Sequence, residues 1–196
     1  MSPSSASPSP SSSSPQPQDP STITGNASLE IKTHLCDLLA LPIRQPEYQK
    51  KIFATTCMTG MRLTEVGTRP MVDEPEREEA RVVMELVVRE EMMNFANTVH
   101  GGCIAYLVDF CSSLALVVLR TKQKGELASI SVSQSMNVVF HSPALLGDTL
   151  RIVNSTITSG SRVMTARTEI WDDTHHRLVA TGVHVKMEPS PPKAKM

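Results

Sequence analysis

The sequence predicts an α+β domain in which antiparallel strands enclose one apolar helix. Three observations lead there. The stretch from Gly101 to Leu119 carries a single charged residue, Asp109, and a helix that is apolar on every side has to be covered by other structure. Two extended segments precede this stretch and four follow it, each bounded by Gly, Pro, Asp or Ser. A chain of 196 residues suits one domain with a single core and dispensable ends.

Residues 1–27 are read as a disordered tail, because the run from Met1 to about Ser21 is almost entirely Ser, Pro, Gln and Ala and buries too little apolar surface to offset ordering. Residues 28–60 are read as a helical extension that packs outside the main core. Leu29 to Leu41 has helical spacing, and Tyr48 to Phe53 continues as a second short helix after Pro46. Met61 to Thr68 and Ala80 to Arg89 form a strand pair, the latter with Val82, Met84, Leu86 and Val88 at period two. After the apolar helix, Ile130–Phe140, Thr149–Thr158, Arg162–Trp171 and Leu178–Met187 are expected as four strands in an antiparallel meander, with Asp172-Asp173-Thr174 turning the third into the fourth. The domain thus spans 61–187, and Pro- and Lys-rich residues 188–196 form a flexible tail. The helix approaches the length of a membrane span. Asp109 near its middle, the adjacent Ser112-Ser113 pair and the strands on both sides favour burial inside a sheet.

The formal net charge is -1 with acidic and basic residues interspersed, which leaves no electrostatic footprint for nucleic acid or an anionic membrane. Cys36, Cys57, Cys103 and Cys111 show no CxxC spacing and suit a reducing compartment as packed thiols rather than zinc ligands. The first residues have neither the apolar run of a signal peptide nor the basic residues of a mitochondrial transit peptide. Ala194-Lys195-Met196 resembles a permissive form of the C-terminal peroxisomal address. An intracellular location is expected, cytoplasmic or peroxisomal, with the mitochondrion left open.

A carboxylate in so apolar a segment is costly to keep ionised unless hydrogen bonds or water hold it, so Asp109 calls for a functional account. It follows Asn94 and the run Asn97-Thr98-Val99-His100-Gly101-Gly102. With Asn94 six residues before His100, the His-Gly-Gly triplet, Asp109 nine after that His, Ser133 in the next strand and Ser142-Pro143 at its end, the chain resembles the hotdog-fold acyl-CoA thioesterases over about Met61 to Met187. The phenylacetate-pathway and eukaryotic superfamily-member types are the nearest in kind. The resemblance implies a curved antiparallel sheet wrapped around one central helix, with the N-terminal helices as additions. It also implies a homodimer that pairs its sheets, or a dimer of dimers, and acyl-CoA as substrate with no separate cofactor.

Eight residues of helix separate Gly101 from Asp109 by roughly 12 Å, so one thioester carbonyl cannot meet both within a chain. Two helices antiparallel across a two-fold axis would instead place Gly101 of one copy near Asp109 of the other. The Gly101 N–H at the helix start suits an oxyanion donor. Asp109 is assigned as general base or as nucleophile through an anhydride, two routes the residues leave open. By resemblance Asn94 orients the thioester, His100 shapes the turn, and Ser133 bonds the water or the carboxylate. Coenzyme A contacts are assigned to Gly102, Arg120 and the Gly160-Ser161-Arg162 turn. The lysines Lys122 and Lys124 read equally well as a solvated rim. His175-His176 beside Asp172-Asp173 read as a solvated turn rather than a metal site. A non-catalytic acyl-CoA binder is the main alternative. An enoyl-CoA hydratase of the same fold pairs its Asp with a His five residues on, where this chain has Leu114.

Overall fold

A computed structural model describes residues 18–44 and 53–188. The strands are β1 (Arg62–Pro70), β2 (Glu78–Val87), β3 (Val132–Phe140), β4 (Thr149–Ser159), β5 (Val163–Asp172) and β6 (Arg177–Met187). The helices are α1 (Leu29–Arg44) and the central α2 (Gly101–Lys124), with single 3-10 turns at Pro20–Thr22, Thr55–Met58 and Glu90–Met92. The strands form one antiparallel sheet in the order β1-β2-β4-β5-β6-β3.

Period-two alternation selects the inner face. Ala80, Val82, Met84 and Leu86 of β2, Leu150 and Ile152 of β4, and Ile170 of β5 turn inward against Leu107, Val108, Cys111, Leu114 and Val118 of α2. Each fully buried Leu or Ile contributes about 1.5–3 kcal/mol relative to exposure. α2 touches all six strands. The approach is close at Gly182 in β6, where a Cβ would meet Val108 Cγ1 at 2.4 Å, so a side chain there would displace the helix. α2 is capped by His100 before it and by Gly125 after it, whose φ of 73° puts it in the left-handed region and whose N–H donates to Thr121 O at 2.9 Å.

Three expectations need correction. The last four strands are not a simple meander: β4, β5 and β6 run consecutively, but β3 pairs with β6 at the far edge, and β2 takes the place beside β4. The tail assigned to residues 1–27 is too long. Residues 18–27 lie along β1, with Thr24 bridged to Glu65 in parallel and Gln18 bonded to Leu63. α1 does not stand outside the core, because Leu35 is fully buried and shares the core with α2. Of the expected Tyr48–Phe53 helix, residues 48–52 lie outside the described residues, as do residues 1–17 and 189–196 of the two tails.

Candidate active site

The start of α2 is fixed by the loop before it. Asn94 Oδ1 accepts from the N–H groups of Ala96 (2.8 Å) and Thr98 (3.2 Å), and its Nδ2 donates to Thr98 Oγ1 at 3.0 Å. The Asn94 side chain therefore staples its own turn, which lets Asn97 hold a φ of 56°. The His100 N–H donates to Met92 O at 2.8 Å, while its Nδ1 accepts from Gly102 N at 2.9 Å. Since the partner is a backbone donor, Nδ1 is unprotonated and His100 acts as the N-cap.

Gly101 is the first helical residue, where the N–H has no intrahelical acceptor. It opens on a cavity of about 350 Å³ shared with Thr98, Ile104, Phe140 and Pro143. A methyl at Gly101 would meet the Phe140 ring at an ordinary 3.6 Å, so the glycine leaves room for an approaching group rather than relieving a clash.

Two turns further on, Asp109 opens on a different cavity of about 450 Å³, with Phe53, Gly102, Ala105, Tyr106 and Met136. Its side chain is 46% exposed, so the carboxylate expected to be stranded among apolar groups stands on the open stripe of α2. The buried residues occupy the other faces of the helix.

Behind Asp109 lies a polar network. Ser133 Oγ donates to Asp109 Oδ1 at 3.2 Å and lies 2.9 Å from His184 Nε2. His184 Nδ1 lies 2.8 Å from Ser112 Oγ. If Ser133 spends its one proton on Asp109, His184 must donate through Nε2 and accept at Nδ1, giving a directed chain from Ser112 through His184 and Ser133 to the carboxylate. Lys186 Nζ donates to Ser113 Oγ at 2.8 Å and to Ser133 Oγ at 3.4 Å, and Ser113 donates to Asp109 O at 2.8 Å. Burial first, then the neighbouring Lys186, holds His184 below its ordinary pKa, with Asp109 pulling the other way. Burial lowers Lys186 as well, again opposed by Asp109.

A β-bulge gives Ser133 its place. Met136, Val138 and Phe140 pair with His184, Gly182 and Ala180, so strict alternation would turn Gln134 inward. The register shift between Ser133 and Ser135 instead sets Ser133 opposite Lys186.

His184, Lys186, Ser112 and Ser113 were not assigned to the site from the sequence. Ala180, Gly182, His184 and Lys186 share one face of β6 at period two, and two basic residues on a face that should be apolar were the available signal.

The other expected residues lie elsewhere. Arg120 is spent on Glu188 (2.8 Å) and Gly160 O (3.3 Å), so its charge is neutralised where a phosphate contact was expected. Lys124 also reaches Glu188, and Lys122 pairs with Glu78. Gly160, Ser161 and Arg162 form the exposed β4–β5 turn near the C-terminal half of α2. Cys103 is pushed up to about 12 by burial and then by Cys57, and burial with Asp109 drives Cys111 up, so both remain thiols that pack. The His175 turn is less solvated than expected. Asp172 is fully buried; burial would raise its pKa, but bonds from His175 and Arg177 outweigh this and lower it. Asp148, Asp172 and His175 have ligand atoms within 4.8 Å of one another, and the Thr174 and His175 N–H groups with Arg177 account for the buried carboxylate of Asp172.

Residues 96–179 match the family described as the thioesterase superfamily. Human acyl-coenzyme A thioesterase 13 is 32% identical over 106 residues, which span 54% of this chain and 71% of that protein. The chain belongs to the thioesterase superfamily. In fold it is similar to zebrafish thioesterase superfamily member 2, with a TM-score of 0.61 at 22% identity, covering 78% of this chain and 94% of that one. It is also similar to a hypothetical thioesterase of Streptococcus pneumoniae solved with coenzyme A, with a TM-score of 0.55 at 17% identity, covering 70% and 91%. The architecture is the hotdog fold of this superfamily, as the motif run from Asn94 to Ser133 implied. Within it, the hydratase alternative lacks its histidine: Leu114 is buried in the core, and His184, although 3.5 Å from Asp109, is fully buried behind Ser133.

Proposed function

We propose that this protein hydrolyses acyl-CoA thioesters to a free acid and coenzyme A, at sites shared between two copies of the chain. The observation that carries the reading is the placement of Asp109: a half-exposed carboxylate at an apolar cavity, oriented by Ser133, while Gly101 opens on a separate cavity. Asp109 takes a proton from water, the resulting hydroxide adds to the thioester carbonyl, and the Gly101 N–H of a second copy stabilises the oxyanion. Collapse of the tetrahedral intermediate expels the coenzyme A thiolate, which takes up a proton. The acyl group lies against Phe53, Tyr106 and Met136. The exposed Arg162 turn is the better candidate for coenzyme A phosphates, since Arg120 already has a partner. His100 and Asn94 shape the helix start, and Gly102 lends its N–H to that cap. The homodimer forms through β3, whose Val132, Val139 and Phe140 are exposed on an edge strand beside the site. The peroxisomal reading of Ala194-Lys195-Met196 stays with this proposal and is checked by fusing the last dozen residues to a reporter.

The test is thiol release across short, medium, long-chain and aryl acyl-CoAs. Asp109→Asn should lower kcat by more than about a hundredfold while the protein stays folded. Gly101→Val should also be inactive. Mixing the two dead variants should recover about a quarter of wild-type activity, because half of the random dimers carry one intact site. No recovery would reject the shared site, and an unchanged Asp109→Asn rate would reject the base.

A further inference from the structure

We infer that Lys186 is a positioning residue for this hydrolysis: its ammonium holds the Ser133 oxygen as an acceptor and so turns the Ser133 hydroxyl toward the Asp109 carboxylate. The inference rests on the thioesterase reading above. An ammonium has three donors and no acceptor. Lys186 spends two of them on Ser113 Oγ and Ser133 Oγ. Each hydroxyl must therefore send its own proton elsewhere, and both send it to Asp109, Ser113 to the main-chain carbonyl at 2.8 Å and Ser133 to the carboxylate at 3.2 Å.

Lys186 is 3% exposed, and among the described residues no carboxylate lies within 4.0 Å of its Nζ. A buried ammonium without an ion pair costs stability, so a position with only a packing task favours Met or Leu. A buried ammonium beneath a half-exposed carboxylate, bonded to the serine that bonds that carboxylate, points to a task at the Ser133–Asp109 contact. Among the described residues, the titratable groups around Asp109 are His184 and Lys186 from β6 and Tyr106 and Cys111 from α2. Of these, Lys186 and His184 lie within hydrogen-bond reach of the Ser133 oxygen, and Lys186, which has no acceptor atom, can meet it only as a donor.

The experiment measures kcat and KM for thiol release in the full chain, with Lys186 and Ser133 changed singly and together. Lys186→Met should lower kcat about tenfold with KM unchanged. Ser133→Ala should lower kcat by a similar factor, and the double variant should be no slower than either alone, because both act through the same hydroxyl. Lys186→Arg should restore most of kcat, and Lys186→Gln, which keeps a donor for Ser133, should fall between. Losses that multiply in the double variant, a lower melting temperature in step with kcat, or failure of both the Met and Gln variants to fold would overturn the inference in favour of a structural role. If the wild type releases no thiol from any acyl-CoA, the thioesterase reading fails, and neutron diffraction of the wild type and Lys186→Met still decides, from the direction of the Ser133 hydroxyl, whether Lys186 orients it.

Discussion

The two edges of the sheet are treated in opposite ways. Along β1 the chain covers its own edge. Gln18 exchanges two side-chain bonds with Leu63, Thr24 N donates to Thr64 O and Thr24 O accepts from Val66 N at 3.0 Å each, and Asn26 bonds both backbone groups of Thr68. Along β3, among the described residues, no such strap runs, and Val132, Val139 and Phe140 are exposed. An open, apolar edge is a template for pairing, and proteins usually blunt it. Here the guarded edge is the one away from Asp109 and the open edge is the one carrying Ser133. The contrast supports the proposal that the β3 edge pairs with a second copy whose helix completes the site.

The largest effect should come from blunting the open edge. Val132→Lys with Val139→Lys places like charges on both strands of a two-fold β3 pair, which opposes their approach. Light scattering should report a dimer for the wild type, if the proposed assembly holds, and a monomer for this variant. Thiol release should fall about a hundredfold, on the scale of losing the base or the oxyanion donor. A monomeric variant that keeps full kcat would separate the edge from the chemistry.

Much of this contrast was hidden in the sequence although its parts were visible. The strand expected over Ala80–Arg89 appears as Glu78–Val87, because Val82, Met84 and Leu86 alternate strongly enough to mark one buried face. The apolar run that located α2 stops at Leu119, while the helix continues to Lys124 with a solvated last turn and stops at Gly125. The position of β3 at the far edge is a long-range pairing that local pattern does not encode. Within the site, Gly101 and Asp109 could be related by their spacing along one helix, and His100 came with the His-Gly-Gly triplet of the family resemblance. Ser133 was reached only through the family resemblance, since alternation in β3 favours Gln134 and the bulge reverses it. Lys186 and His184 needed the face of β6 to be known. The Asn94 and Arg120 side chains are held by partners that spacing does not name, Thr98 in one case and Glu188 in the other.

Acid should distinguish the two edges more gently. Burial holds the His184 pKa below its ordinary value, so the folded state binds fewer protons there than the unfolded one. The stability this contributes is complete above the unfolded value of about 6.5 and is lost as pH falls through the window below it. The strap from Gln18 to Ala27 contains no histidine. Amide exchange compared near pH 7 and pH 5, corrected for intrinsic rates, should show β3 and β6 losing protection before β1 and β2. His184→Asn should flatten the dependence, and uniform loss across the sheet would count against it.

The smallest effect belongs to the guarded edge. Gln18→Ala removes two bonds to Leu63, of 2.6 and 2.9 Å, at a part-buried edge where water replaces part of what is lost. The expected cost is about 1 kcal/mol, read as a melting temperature a few degrees lower. Mass in solution and kcat should not change, because the strap touches neither Asp109 nor β3. A change of mass on cutting this strap would show that β1 also takes part in assembly, and would remove the reason for assigning the second copy to the β3 edge alone.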